Sequence, residues 1–150
     1  MTERLAIRRV RVDDMAAIAR LFRTTREACL PYLPELHAPE EDLRFFRERV
    51  FRETDMWVAQ HPHIIGFISY RTGWVDHLYV HPDFHARGTG SALLSKAMEA
   101  HANLQLWVFQ KNATAIRFYA ARGFRLVEWT DGCGNEECEP DALYAWHRSP

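Results

Sequence analysis

Between Val80 and Leu94 the chain reads VHPDFHARGTGSALL, and the hydrophobic period changes inside it. The segment before, Trp74-Val75-Asp76-His77-Leu78-Tyr79-Val80, is a short apolar run of strand type that His81-Pro82 brings to an end. The segment after carries Leu93, Leu94, Ala97 and Met98 at helical spacing. The link between them holds Gly88 and Gly90, an arginine and two hydroxyls. A strand that feeds a helix through a glycine turn belongs to a layered α/β domain. The unpaired N–H groups at the start of such a helix attract phosphate.

The rest of the chain agrees with that class. Leu5 to Val10 alternates as a strand, and Asp13 or Asp14 caps a helix with an apolar stripe of Met15, Ile18, Ala19 and Phe22. Pro31, Pro34 and Pro39 make the next segment a loop. A helix follows Pro39, with Leu43, Phe46 and Val50 inward. Strands are predicted at Met56–Gln60, Ile64–Tyr70, Trp74–Val80, Leu104–Val108, Phe124–Trp129 and Ala142–Trp146. Helices are predicted from about Gly90 to His101 and from Ala113 to Arg122, the latter stopped by Gly123. The order is βααβββαβαββ, an α/β domain with a mixed sheet, and no linker divides residues 1–150.

Composition narrows the partners of the glycine turn. The 150 residues carry a net charge of -1, so nothing draws the chain as a whole to nucleic acid or an anionic membrane. Apolar runs are far shorter than the roughly 20 residues that span a bilayer. The first residues lack a secretory apolar run, and three cysteines fit a reducing cytoplasm; both predict a cytoplasmic protein. A Walker loop would need Gly-Lys-Ser/Thr after four residues, and no such lysine is present. A dinucleotide fingerprint would need a third glycine, and position 93 is Leu.

The turn His85-x-x-Gly88-x-Gly90 resembles the acetyl-coenzyme A motif of the GNAT superfamily of N-acetyltransferases, usually Arg/Gln-x-x-Gly-x-Gly/Ala. The likeness extends past the turn. LYVHPDFHARGTGSALL followed by LQLWVFQKNATAIRFYAARGFRLV is similar to the two central motifs of that family in order and spacing. With the flanking elements it covers nearly the whole chain. A turn that merely joins strand to helix would leave the second motif without account. The resemblance implies the GNAT acyl-CoA N-acyltransferase fold, a mixed and mostly antiparallel sheet with helices on both faces. It also implies direct transfer of acetyl from acetyl-CoA to an amine, without a covalent acyl-enzyme and without a metal. A homodimer is compatible with it.

The resemblance also assigns residues. The pantetheine arm would lie between Val75–Val80 and Leu104–Val108, against Leu78, Tyr79 and Val80, where a backbone N–H serves the developing oxyanion. The pyrophosphate would be gripped by His85, Ala86, Arg87, Gly88, Thr89, Gly90 and Ser91. His85 departs from the usual Arg or Gln and carries a pH-dependent charge, so the backbone amides of this turn matter more. Asn112 and Ala115 would contact the arm, and the Tyr119 hydroxyl would protonate the leaving thiolate. Read without the motif, Tyr119 is an aromatic core residue on an amphipathic helix, like Phe118.

The base stays open between His77, Asp76 and a water. Strict alternation puts Asp76 and His77 on opposite faces, so at most one should face the acetyl group. The loop TDGCGNEECEPDAL carries Glu136 and Glu137 and reads either as an acidic wall selecting a cationic amine or as a solvated surface loop. Tyr32, Trp74 and Trp129 would add apolar contact in the first reading. His77, His81 and His85 recur every fourth residue, but Pro82 forbids the helix that would align them as metal ligands. Cys133 and Cys138 lack the spacing of paired ligand clusters, and Cys29 is expected to be a packed structural thiol. The rival function is a non-catalytic acyl-CoA sensing module on the same fold.

Overall fold

The computed structural model describes residues 5–150. Seven strands form one sheet in the order β1-β2-β3-β4-β5-β7-β6. They are β1 (Ala6–Arg9), β2 (Asp55–Gln60), β3 (Ile64–Arg71), β4 (Trp74–Val80), β5 (Asn103–Phe109), β6 (Arg125–Trp129) and β7 (Asp141–His147). Every neighbouring pair is antiparallel except β4 and β5, which run parallel. Four helices accompany them. Helix α1 is Met15–Cys29 and α2 begins at Pro39–Phe45, widens to a π-type stretch over Phe46–Val50 and closes with Phe51–Glu53. Helices α3 (Thr89–Ala100) and α4 (Ala113–Ala121) complete the set. The observed order is the predicted βααβββαβαββ, and strand and helix ends differ from expectation by a residue or so. Among the described residues no helix is long and apolar enough to cross a membrane.

The strand period sorts the core into two layers. On one face Met56 and Val58 of β2 and Phe67 of β3 pack with Met15 and Ile18 of α1 and with Phe46 and Val50 of α2. On the other, Ile68, Tyr70, Leu104 and Leu106 pack with Leu93, Leu94 and Ala97 of α3 and with Tyr119 of α4. Alternate residues thus bury opposite faces of the left half of the sheet, as a strand covered on both sides requires. Cys29 ends α1 on its solvent side and is exposed, which corrects the expectation of a packed thiol. Cys133 and Cys138 are exposed as well.

Two departures from regular pairing shape the middle of the sheet. In β3 and β4, Ser69 pairs with His77 but Tyr70 pairs with Val75, so Asp76 is an extra residue without a partner. This β-bulge resets the alternation at one point. Between β4 and β5 the only register pair is Trp74 with Gln105, extended by a bond from Gln105 N–H to Gly73 C=O of 2.8 Å. Beyond that closed end the two parallel strands separate.

Candidate active site

The separation of β4 and β5 leaves main-chain groups facing an opening. His81 N–H reaches across to Ile65 C=O of β3 at 2.8 Å. Alternation therefore aims Tyr79 at β3 and turns the N–H and C=O groups of Leu78 and Val80 toward β5. Val80 C=O accepts from His85 Nε2 at 2.7 Å. The side chain of His85 is thus spent on the end of β4 and ties the glycine turn to it. The N–H and C=O of Leu78 and the N–H of Val80 stay available to an extended, amide-bearing arm.

The turn itself is a concave run of donors. Ala86 and Gly88 have positive φ of 61° and 83°. Gly88 occupies the N-cap of α3, and the first return bond of the helix is Ala92 N–H to Gly88 C=O at 3.0 Å. The N–H groups of Ala86, Arg87, Gly88, Thr89, Gly90 and Ser91 find no backbone acceptor among the described residues. Such a nest at a helix start, with the positive end of the helix dipole behind it, fits a pyrophosphate. Gly90 has its own reason: a Cβ there would lie 3.1 Å from Phe118 Cε1. Arg87 is exposed and stacks on Phe84 at 5.3 Å.

Helix α4 approaches from the other side of the opening. Asn112 caps it by accepting from Ala115 N–H at 3.2 Å, which leaves its amide N–H groups unused in the cap. Tyr119 is buried among Phe118 and Phe124, with ring centroids at 5.2 and 5.4 Å. Burial, and secondarily the neighbouring Tyr79, hold its hydroxyl well above the ordinary phenol range. The hydroxyl stays protonated at any physiological pH.

A cavity of about 840 Å³ adjoins β4 on the α1–α2 face. Asp76, His77 and Tyr79 all line it. The expectation that Asp76 and His77 point to opposite faces is therefore overturned, and the bulge at Asp76 is the reason. His77 sits in an aromatic cage of Phe22, Phe45, Phe46, Phe67 and Tyr79, with centroids 5.3–6.3 Å away. Its Nδ1 is 2.7 Å from Ser69 Oγ. Burial drives its pKa down to about 4; Asp76 opposes that and Arg26 adds to it. Asp76 is held by Arg71 through two contacts of 2.9 and 3.1 Å.

The outer walls of the cavity come from distant parts of the chain. Glu137 pairs with Arg26 of α1 at 3.4 Å, and Glu136 with His37 of the α1–α2 loop at 2.5 Å. His37 also meets Glu41 at 3.3 Å; Glu41 first and Glu136 second raise its pKa. The loop that carries both glutamates is folded on itself by Asn135, which bonds Glu139 C=O at 2.7 Å and accepts from Glu139 N–H at 3.2 Å. Its remaining acids face elsewhere: Asp131 accepts from Cys133 N–H at 2.9 Å, Glu139 pairs with Lys111 at 3.1 Å, and Asp141 binds Thr130. Eight carboxylates line the cavity (Glu27, Glu35, Glu41, Asp42, Glu48, Asp76, Glu136, Glu137) against four guanidiniums (Arg23, Arg26, Arg44, Arg49).

Three expected wall residues lie elsewhere. Trp74 stands at the closed end of the β4–β5 pair, under Arg71 at 5.4 Å, and is not part of the cavity lining. Tyr32 is also outside the lining; Lys111 lies 5.2 Å over its ring, and its buried hydroxyl has no partner among the described residues. Trp129 is exposed on the edge strand β6. The apolar contact comes instead from Phe22, Phe45, Trp107 and Phe109. Phe22 and Arg26, one helical turn apart, were the one readable hint of this; His37 and Trp107 left none.

Residues 52–126, half of the chain, match the family model described as acetyltransferase (GNAT) domain. Peptidyl-lysine N-acetyltransferase YiaC of Escherichia coli (strain K12) is 29% identical over 129 residues, covering 83% of this chain and 88% of its own. Among solved structures, apo-form YjaB from Escherichia coli superposes with a TM-score of 0.77 at 22% identity, covering 97% of this chain and 99% of its own. PaiA N-acetyltransferase from Thermoplasma acidophilum, solved in complex with coenzyme A, gives 0.75 at 17% identity, covering 96% and 99%.

Proposed function

The chain belongs to the GNAT family of acetyl-CoA-dependent N-acetyltransferases, and from that premise we propose that its acceptor is the side-chain amine of a lysine in a polypeptide. The observation that carries this reading is the excess of carboxylates on the cavity beside β4. A lysine can lay its apolar stem along Phe22, Phe45 and Trp107 while its ammonium is drawn to the acids. Glu27 and Glu48 have no ion pair among the described residues and carry uncompensated charge. A relative that bears the name peptidyl-lysine N-acetyltransferase supports the same class.

Acetyl-CoA supplies the activated acetyl thioester. The residues then have distinct tasks. The amides of Ala86 to Ser91 hold pyrophosphate, and Leu78, Val80 and Asn112 hold the arm by hydrogen bonds. A strand N–H in the β4–β5 opening faces the charge that builds on the acetyl oxygen. Tyr119 gives its phenolic proton to the departing sulfur; its raised pKa keeps that proton in place until then.

His77 has a narrower role than a strong base. With its pKa near 4 it is neutral at pH 7 but cannot hold the proton of an ammonium that titrates near 10. It orients the neutral amine, and the proton leaves through water toward the carboxylates of the cavity, Asp76 first. The test is thiol release with acetyl-CoA over an amine panel: a lysine peptide with blocked α-amine, a lysine-free peptide with a free N-terminus, and a free polyamine. Turnover with the first is the expected result. Turnover confined to either of the others overturns the lysine assignment.

A further inference from the structure

Arg122 follows α4 directly and is absent from the motif positions that mark the coenzyme site. Its guanidinium nevertheless lies at the glycine turn. Nε donates to Ser91 Oγ at 2.8 Å, and Nη2 donates to the same oxygen. Nη1 donates to Phe118 C=O at 2.9 Å, and the group lies 3.7 Å over the Phe118 ring. Phe118 in turn packs against Gly90, where an added Cβ would meet its ring at 3.1 and 3.2 Å. Helix α4 therefore delivers a fixed cation to the first turn of α3.

Two features make this more than a packing contact. First, Arg122 has no carboxylate partner among the described residues, and a guanidinium with five N–H donors keeps two of them free after these three bonds. Second, Ser91 Oγ acts as acceptor toward the Arg122 fork, so its own proton points away from that guanidinium. The usual outlet for a helical serine is the carbonyl one turn back, the bond that Ser95 makes to Ser91 C=O at 2.8 Å. Ser91 makes no such bond among the described residues. Its hydroxyl proton is left for an acceptor outside the protein, beside the unpaired amides of Arg87 to Ser91.

We infer that Arg122 and Ser91 form a coupled anion-binding pair that grips the pyrophosphate of coenzyme A, Arg122 supplying charge and orienting the Ser91 proton outward. A charged donor and a polarised hydroxyl add to each other at such a site. The inference rests on the coenzyme site assigned above, and the experiment separates the two. Coenzyme A titrated into the unaltered protein tests that site; the ratio of variant to parent tests the pair.

Arg122→Gln should weaken coenzyme A binding by ~10-fold or more and flatten its dependence on salt. The same loss is expected with 3′-dephospho-CoA, since the pyrophosphate is unchanged. Arg122→Lys should recover part of the affinity, keeping charge without the fork. Turnover of S-acetylpantetheine, which has no phosphate, should be the same in parent and Arg122→Gln. Binding of coenzyme A within twofold of the parent overturns the pair. So does an equal loss with S-acetylpantetheine, which would mean that Arg122 only braces the fold. A loss seen with coenzyme A and absent with 3′-dephospho-CoA overturns the pyrophosphate assignment in favour of the ribose phosphate.

Discussion

Ser69 Oγ and His77 Nδ1 lie 2.7 Å apart on directly paired positions of β3 and β4. Ser69 is wholly buried, so this contact is the only outlet for its hydroxyl among the described residues. It also fixes the imidazole plane inside a cage of five aromatic rings. Ser69→Ala should cost ~1–3 kcal/mol, because a buried ring nitrogen loses its partner. Denaturant unfolding of the two proteins measures it. A midpoint unchanged within error would show that His77 finds another partner when its ring turns.

The caged histidine also predicts a pH dependence. In the unfolded chain His77 takes a proton near the usual 6.5, but in the folded protein only near 4. Above the first value both states are neutral and the group contributes nothing to the pH dependence. As the pH falls from there toward 4 the unfolded state gains its proton first, so stability drops by up to ~1.4 kcal/mol per pH unit. Below 4 both states are charged and the drop stops. Unfolding curves between pH 4 and 7, compared with those of His77→Gln, should show this slope in the parent and its loss in the variant. Parallel curves would mean that the cage admits the imidazolium.

For Tyr119 the decisive contrast is between turnover and binding. Tyr119→Phe keeps the ring against Phe118 and Phe124 and removes only the hydroxyl. We expect kcat to fall by ~10²–10³ at saturating acetyl-CoA, the range for a lost general acid, with coenzyme A affinity within about twofold. Since the hydroxyl stays protonated past the ordinary phenol range, the parent should show no alkaline loss of rate near pH 10 from this group. A variant that turns over like the parent would return Tyr119 to the role of core aromatic.

The two glutamates on the β6–β7 loop should act on the acceptor and not on the donor. Glu136 meets His37 and Glu137 meets Arg26, so each joins that loop to the α1 side of the cavity. The double change Glu136→Gln with Glu137→Gln should raise KM for a lysine peptide by ~5-fold or more while leaving KM for acetyl-CoA unchanged. Added salt should narrow the difference, because Glu136 is exposed and its charge is screened. Equal acceptor kinetics in both proteins would reduce the pair to a clasp between loops.

What could be read before the fold was known follows from the range of each interaction. Strands, helices and the glycine turn depend on local period and on punctuation by Pro39, Pro82, Gly88 and Gly123, and these lie open in the chain. The parity of Asp76 and His77 did not, because a bulge adds one residue with no mark in composition. The partners of Glu136 and Glu137 are 99 and 111 residues away, and Ser91 is 31 residues from Arg122. Local spacing carries no trace of such pairs. Trp74 was placed at the acceptor wall for its chemistry, but the closed end of β4 and β5 holds it away.

The two glycines of the turn should fail for different reasons, which makes them a test of the site. Gly88 has φ +83° and open space where a Cβ would go. Gly88→Ala meets no neighbour, so its cost is the left-handed backbone, about 1 kcal/mol. If the backbone relaxes to relieve that strain, the nest of amides opens and coenzyme A affinity falls. Gly90 has an ordinary helical position but only 3.1 Å between a new Cβ and the Phe118 ring. Gly90→Ala must therefore move Phe118, and with it the guanidinium of Arg122 stacked 3.7 Å away. We expect Gly90→Ala to lose coenzyme A affinity and Gly88→Ala to lose both affinity and stability, read by titration and thermal unfolding of each variant. Full coenzyme A affinity in both variants would show that the turn joins strand to helix and holds nothing.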